Sequence, residues 1–416
     1  MTDYQIVALL VSLTALLAYL NARFLRLPPA IGLMAIALAG SLALVGLDAA
    51  GVADLVPRIA ALLERVDFDD ALLHGMLGLL LFAGALHVDL GELGAQRGTI
   101  AALALGGTLL STALVGCATF ALLELVGSPL PLLHCLLFGA LISPTDPIAV
   151  LGILKSARVP PTLETTIAGE SLFNDGVGVV VFLGLFGAAT GGDVGAGDLA
   201  RLFLQEAVGG AAFGLATGYL AYRLLKTIDQ YSVEILITLA LVLGGYAAAE
   251  ALHLSAPIAA VCAGLLVGNQ GRALAMSDTT RDHLDTFWEL IDEILNAVLF
   301  LLIGLEVVRL RLTTEVVLAG AALIPLVLCA RLASVSLPLA FLRRFRAQAP
   351  RAALILTWGG LRGGISVALA LSLPPGRPRD ILLVLTYLVV AVSILVQGLT
   401  LGPLLRRLTP AGSPPP

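Results

Sequence analysis

From Tyr4 to Leu405 the chain is a succession of apolar runs, each about as long as the hydrocarbon core of a bilayer is thick, and this constrains the fold more than any motif. A helix rises about 1.5 Å per residue, so about 20 apolar residues cross the roughly 30 Å of hydrocarbon. Thirteen such segments can be drawn, at 4–24, 29–48, 69–88, 99–126, 129–155, 162–187, 199–225, 231–250, 253–270, 286–308, 314–342, 350–374 and 380–405. In lipid only helices and closed barrels satisfy every backbone polar group, and these runs are too long for barrel strands of about 9–11 residues. The expected fold class is an all-α polytopic membrane protein with about 13 transmembrane helices. The connections are short, so 1–407 reads as a single transmembrane domain. A Pro/Gly/Ser-rich tail, 408–416, is expected to be disordered.

Charge supports the same reading. Charged residues make up 13% of the chain and apolar ones 58%, against about 25% charged in a soluble domain; too few charges exist to cover a soluble surface. A net charge of −5 with no basic tract excludes nucleic acid as a partner. Cys117, Cys135, Cys262 and Cys329 all fall in apolar runs without a CxxC, and read as small buried hydrophobes. The segment Met1-Thr2-Asp3-Tyr4 lacks a basic region, so the first run is expected to stay as a span. Of the 24 Lys and Arg, 15 lie after odd-numbered spans or in the C-terminal tail and 7 after even-numbered ones. The positive-inside rule then places the N-terminus outside and the C-terminus in the cytoplasm of a cell membrane. The remaining two, Arg331 and Arg362, lie within spans.

Two spans are interrupted. The fifth contains Ser143-Pro144-Thr145-Asp146-Pro147. Proline lacks an N–H, clashes with the preceding turn, and pushes the residue before it out of the helical region. Thr145 and Asp146 are expected in an unwound stretch, with the carbonyls of Ala140 and Ser143 freed. The twelfth contains Trp358-Gly359-Gly360-Leu361-Arg362-Gly363-Gly364, four glycines around one cation and a poor continuous helix. Unwound backbone survives at membrane depth only inside protein or beside a wet cavity. The breaks lie seven spans apart, an odd offset, so the two elements run in opposite directions. That pattern points to inverted repeats, approximately 4–187 and 231–405, with a site between two discontinuous crossing helices.

The sixth span carries the polar centre, Glu170-Ser171-Leu172-Phe173-Asn174-Asp175. Glu170 and Asn174 are four apart, as are Ser171 and Asp175, so the four occupy a wedge of about 140°. A carboxylate at this depth costs a few kcal/mol, and ion or proton handling is the functional expectation. Asp175 is the candidate for binding cation and proton in turn. Ser171 and the Thr145 carbonyl are oxygen donors suited to a hard monovalent cation, and Asp146 is expected either to join them or to act as a counter-charge to the half-helix N-termini facing it. Asn174 is expected to hold the broken backbone or contact the ion. Glu170 is expected to pair with Arg362 as architecture, because an unpaired buried arginine is very costly. Arg331 is expected to find Asp292 or Asn296 of the tenth span, also as architecture.

Together, Ser-Pro-Thr-Asp-Pro, Gly-Glu-Ser-Leu-Phe-Asn-Asp-Gly and Trp-Gly-Gly-Leu-Arg-Gly-Gly, in this order, resemble the monovalent cation:proton antiporters of the NhaP/NHE kind. The resemblance implies a homodimer with a mobile core, elevator-like alternating access and electroneutral exchange of one sodium ion for one proton. It also implies Asp175 as transport carboxylate, with Asp146, Ser171 and the Thr145 carbonyl at or near the ion, and no cofactor besides the transported ions. Some relatives carry an acid on the third span where this chain has Ala83. A single ionisable group in the Asn174-Asp175 pair fits one-for-one competition. A channel-like potassium protein would commonly bring a soluble nucleotide-binding domain, for which no segment is seen. An intramembrane enzyme would need a nucleophile–base or paired-acid site. There is no HExxH, and His74, His87, His134, His253 and His283 accompany no nucleophile.

Overall fold

The computed structural model describes residues 2–51, 56–63, 70–146, 150, 154, 159–190, 197, 201, 204–310, 312–342 and 351–408. Among these residues all regular structure is helical. The helices used below are α1 (Asp3–Leu20), α2 (Pro29–Ala49), α3 (Val56–Leu63), α4 (Leu77–Leu86), α5 (Leu90–Ala101), α6 (Thr108–Leu125), α7 (Leu132–Ile142) and α8 (Pro161–Ala189). They continue as α9 (Gly209–Leu225), α10 (Tyr231–Ala251), α11 (Ala256–Leu266), α12 (Asp278–Glu306), α13 (Thr314–Leu342), α14 (Ala352–Trp358), α15 (Gly364–Leu371), α16 (Arg377–Val392) and α17 (Gly398–Leu408). Each of the thirteen apolar segments contains helix.

Seven helical stretches among the described residues are individually long and apolar enough to cross a membrane, including Leu90–Leu125, Thr162–Ala189 and Thr314–Leu342. Other segments reach bilayer length from shorter pieces. The third joins a π turn at Ala71–Met76 to α4, and the ninth extends α11 with a π turn at Val267–Gly271. The twelfth is two half-helices, α14 and α15. The fifth unwinds after α7; Pro147 and most of 148–158 lie outside the described residues. Leu408, expected to be the first residue of the tail, still ends α17, and 409–416 lie outside the described residues.

Local chemistry sets the ends. Thr2 accepts from the Gln5 amide while the Gln5 side chain accepts from Thr2, a capping box that starts α1. Ser255 and Ser277 cap α11 and α12. The helix α12 is polar in its first half and apolar in its second, where Leu299, Phe300, Leu301 and Ile303 are buried. Its second half therefore joins the central cluster, built with Phe138, Leu141, Val367 and Leu385 from α7, α15 and α16. The outer surface is apolar, with Val7, Tyr19, Tyr219, Leu236, Leu318 and Phe341 exposed. Such a surface suits lipid. Cys135 and Cys262 are buried as expected, but Cys117 and Cys329 are exposed, on the outward sides of α6 and α13.

Candidate functional site

The two unwound stretches meet at the centre of the bundle. Thr145 and Asp146 are non-helical, as are Gly360 to Gly363. They are joined backbone to backbone, the Asp146 amide donating to the Leu361 carbonyl at 2.8 Å. The Arg362 guanidinium donates from Nη1 to the carbonyls of Ser143, 2.5 Å, and Pro144, 3.0 Å. A helix end leaves carbonyls without partners and carries partial negative charge, so a cation there serves both needs. Ser393 Oγ accepts from the Arg362 amide, and Gln397 Nε2 donates to the Trp358 carbonyl. Ser143 Oγ is tied to Ser111 of α6 at 2.9 Å.

The helix α8 runs unbroken past this junction. Asn174 binds the unwound strand through every polar atom of its amide. Oδ1 accepts from the Thr145 amide at 3.2 Å, and Nδ2 donates to Thr145 Oγ1 at 2.9 Å and Glu170 Oε1 at 2.8 Å. Thr145 Oγ1 and Ser171 Oγ share a hydrogen bond of 2.9 Å. Asn174 thus ties α8 to the unwound stretch at Thr145.

The expected pairing of Glu170 with Arg362 is not what the structure shows. Glu170 takes a two-pronged ion pair from Arg331 of α13, with Nη1 to Oε1 and Nη2 to Oε2 both 2.8 Å. Arg331 also leaves its expected partners: Asp292 and Asn296 make no hydrogen bond to it among the described residues. The reason is geometric. A planar guanidinium matches a carboxylate fork, and α13 packs along both α6 and α14, which brings Arg331 over Glu170. Gly360 clears the path, since a Cβ there would stand 2.7 Å from Arg331 Nε. Arg362, displaced from Glu170, finds carbonyls instead.

Asp175 faces a cavity of about 1360 Å³. Its side chain is 4% exposed and accepts no hydrogen bond among the described residues. Asp146 and Thr145 line the same cavity; Ser171 and Asn174 stand behind that wall. Asp146 and Glu170 are the carboxylates whose fields reach Asp175. Asp146 packs against Gly363, where a Cβ would lie 2.6 Å from Asp146 Oδ2. The opposite wall includes Ala83, which adds no acid, and the polar half of α12. Asp285, Glu289, Asp292 and Asn296 recur at helical spacing there and all line the cavity. His87 and Arg406, at the ends of α4 and α17, line it too. Asp285 is held by a contact with Arg272.

Ser111, Ser393 and Gln397 were not among the expected site residues. Gln397 carried a readable signal, an amide in a strongly apolar run; the serines carried none, because such hydroxyls ordinarily bond to their own helix.

A buried carboxylate, two helix breaks joined at membrane depth and a cavity reaching them define a secondary ion transporter, not an enzyme. The chain belongs to the sodium/hydrogen exchanger transmembrane family, whose model matches residues 11–407. It is 53% identical over 415 residues to the Na(+)/H(+) antiporter NhaP of Pseudomonas aeruginosa, covering 99% of this chain and 98% of that one. It is 39% identical over 347 residues to the Na(+)/H(+) antiporter NhaH of Halobacillus dabanensis, covering 82% and 84%. The fold resembles that of the sodium proton antiporter MjNhaP1 from Methanocaldococcus jannaschii, with a TM-score of 0.73 at 20% identity over 96% of this chain and 97% of that one.

Proposed function

We propose that this protein exchanges sodium for protons across a cell membrane, one for one, with the two ions competing for the Asp175 carboxylate. The observation that carries the reading is the position of Asp175, buried on an unbroken helix opposite the joined breaks and at the wall of the cavity. A carboxylate held there is costly as a bare anion, so it is occupied by a proton or a cation. Thr145, Asp146 and Ser171 supply further oxygens for a monovalent ion. Relatives matched over 98% and 84% of their length are named as sodium/proton antiporters, which favours sodium.

The amide at Asn174 supports electroneutral exchange, provided Asp146 keeps its protonation state through the cycle. All of its polar atoms are spent on Thr145 and Glu170, so Asp175 alone exchanges a proton in that pair. One transport unit occupies 1–407, built from inverted repeats at approximately 4–187 and 231–405. It works as a homodimer by elevator-like alternating access, in pH and sodium homeostasis. With the N-terminus outside and the C-terminus cytoplasmic, the cavity ends bearing His87, Asp285 and Arg406 lie inside, and this conformer faces inward.

The test is sodium-driven proton movement in proteoliposomes carrying a pH dye. Rates unchanged when valinomycin and potassium clamp the potential, with an apparent sodium affinity that weakens as pH falls, support the reading. Flux that follows the potential, or an affinity independent of pH, overturns it.

A further inference from the structure

We infer that Asp292 and Asn296 form a second monovalent-cation site, a staging point on the cavity wall between its outer end and Asp175. The inference rests on the antiport reading and deepens it. Both residues line the cavity that reaches Asp175 and Asp146, yet they belong to α12 and not to α8 or the breaks. Asn296 is 4% exposed. Its Nδ2 donates to the Asp292 carbonyl at 2.7 Å, which fixes the amide and leaves Oδ1 as the group with nothing bound. Asn296 Oδ1 and Asp292 Oδ1 are both buried, and neither has a hydrogen-bond partner among the described residues.

Two acceptor oxygens left in that state are expensive unless a donor or a cation meets them. Arg331, the cation the sequence pairs with these two residues, is committed to Glu170. The field of Asp146 reaches Asp292 and adds negative potential. One carboxylate and one amide oxygen are too few for calcium, which takes 6–8 oxygens. They suit a sodium or lithium ion that keeps most of its water, held weakly enough to move on.

Position fits the role. Asp285, Glu289, Asp292 and Asn296 share one side of α12, and the 11 steps from first to last climb about 16 Å at about 1.5 Å each. An ion that follows this side reaches Asn296 along the wall of the cavity that Asp146 and Asp175 also line.

The experiment uses the purified full-length chain in detergent and in proteoliposomes. In the transport-dead Asp175→Asn background, sodium chloride should raise the melting temperature above a matched choline chloride control. Adding Asp292→Asn or, separately, Asn296→Leu should remove that shift. In the otherwise native chain, Asp292→Asn should raise the KM for sodium about three- to tenfold with little change in maximal rate. Two substitutions on different side chains guard against one variant misfolding. A sodium shift that survives both overturns the site, as does an unchanged KM, which would mean that water alone satisfies these oxygens. If Asp175→Asn itself exchanges sodium, the antiport carboxylate is misassigned; the staging site is still decided by whether the shift disappears with Asp292.

Discussion

Glu170 and Arg331 meet in a two-pronged ion pair, both oxygens and both terminal nitrogens engaged at 2.8 Å, with the residues 1% and 4% exposed. The pair ties α8, which carries Asp175, to α13. Removing one member leaves the other charged, buried and alone, at a cost of about 3–5 kcal/mol. Glu170→Gln and Arg331→Ala should each lower the melting temperature markedly, and their double mutant should show a coupling of about 1 kcal/mol or more, on the order expected for neighbours in contact. The same cycle run on Glu170 and Arg362 should give a smaller coupling. Thermal melts of the purified variants check both.

Arg362 acts on backbone. Replacing it with Met removes two donors from the Ser143 and Pro144 carbonyls, and a buried acceptor left unpaired costs about 1–3 kcal/mol. Arg362→Met should therefore lower both stability and exchange. Arg362→Lys, which keeps a charge and rotatable donors, should restore much of the stability. Melting and proteoliposome flux read the two effects separately.

Much of this was legible in the chain and some was not. Asp175, Asp146 and the two breaks stood out because a carboxylate, a Pro-Thr-Asp-Pro or a Gly-Gly-Leu-Arg-Gly-Gly is expensive inside an apolar run. Which arginine meets Glu170 was not legible. Arg331 and Arg362 are both intramembrane cations, and the choice depends on how α13 lies beside α14 and on the absence of a Cβ at Gly360. Spacing along one helix says which residues share its side. It says nothing of the distance between helices, so Asp292 and Asn296 were paired with the wrong partner. Pro147 lies outside the described residues, so its part in the first break stays an expectation.

The glycine run is explained by contact. Gly363→Ala would place a methyl 2.6 Å from Asp146 Oδ2, forcing that carboxylate out of its place. Exchange should fall at least tenfold while the protein still purifies as a folded species. Gly84, also on the cavity wall, has nothing within 4 Å of an added Cβ. Gly84→Ala should exchange at close to the native rate, and flux assays on the two variants side by side check the contrast.

Asn174→Asp replaces a donor with an acceptor that faces Glu170 Oε1 across 2.8 Å. Two carboxylate oxygens in that contact repel, and the Thr145 anchor loses the same nitrogen. The variant should melt lower than the native chain, by about 1–3 kcal/mol in stability. Melting curves measure it.

The central claim concerns one carboxylate. Asp175→Asn keeps the shape of the side chain and removes its ability to carry a proton or a full negative charge. Reconstituted into liposomes and challenged with a sodium gradient, this variant should show dye responses no greater than protein-free vesicles, while its elution and melting stay close to the native chain. Sodium-driven proton movement at an appreciable fraction of the native rate would contradict the account.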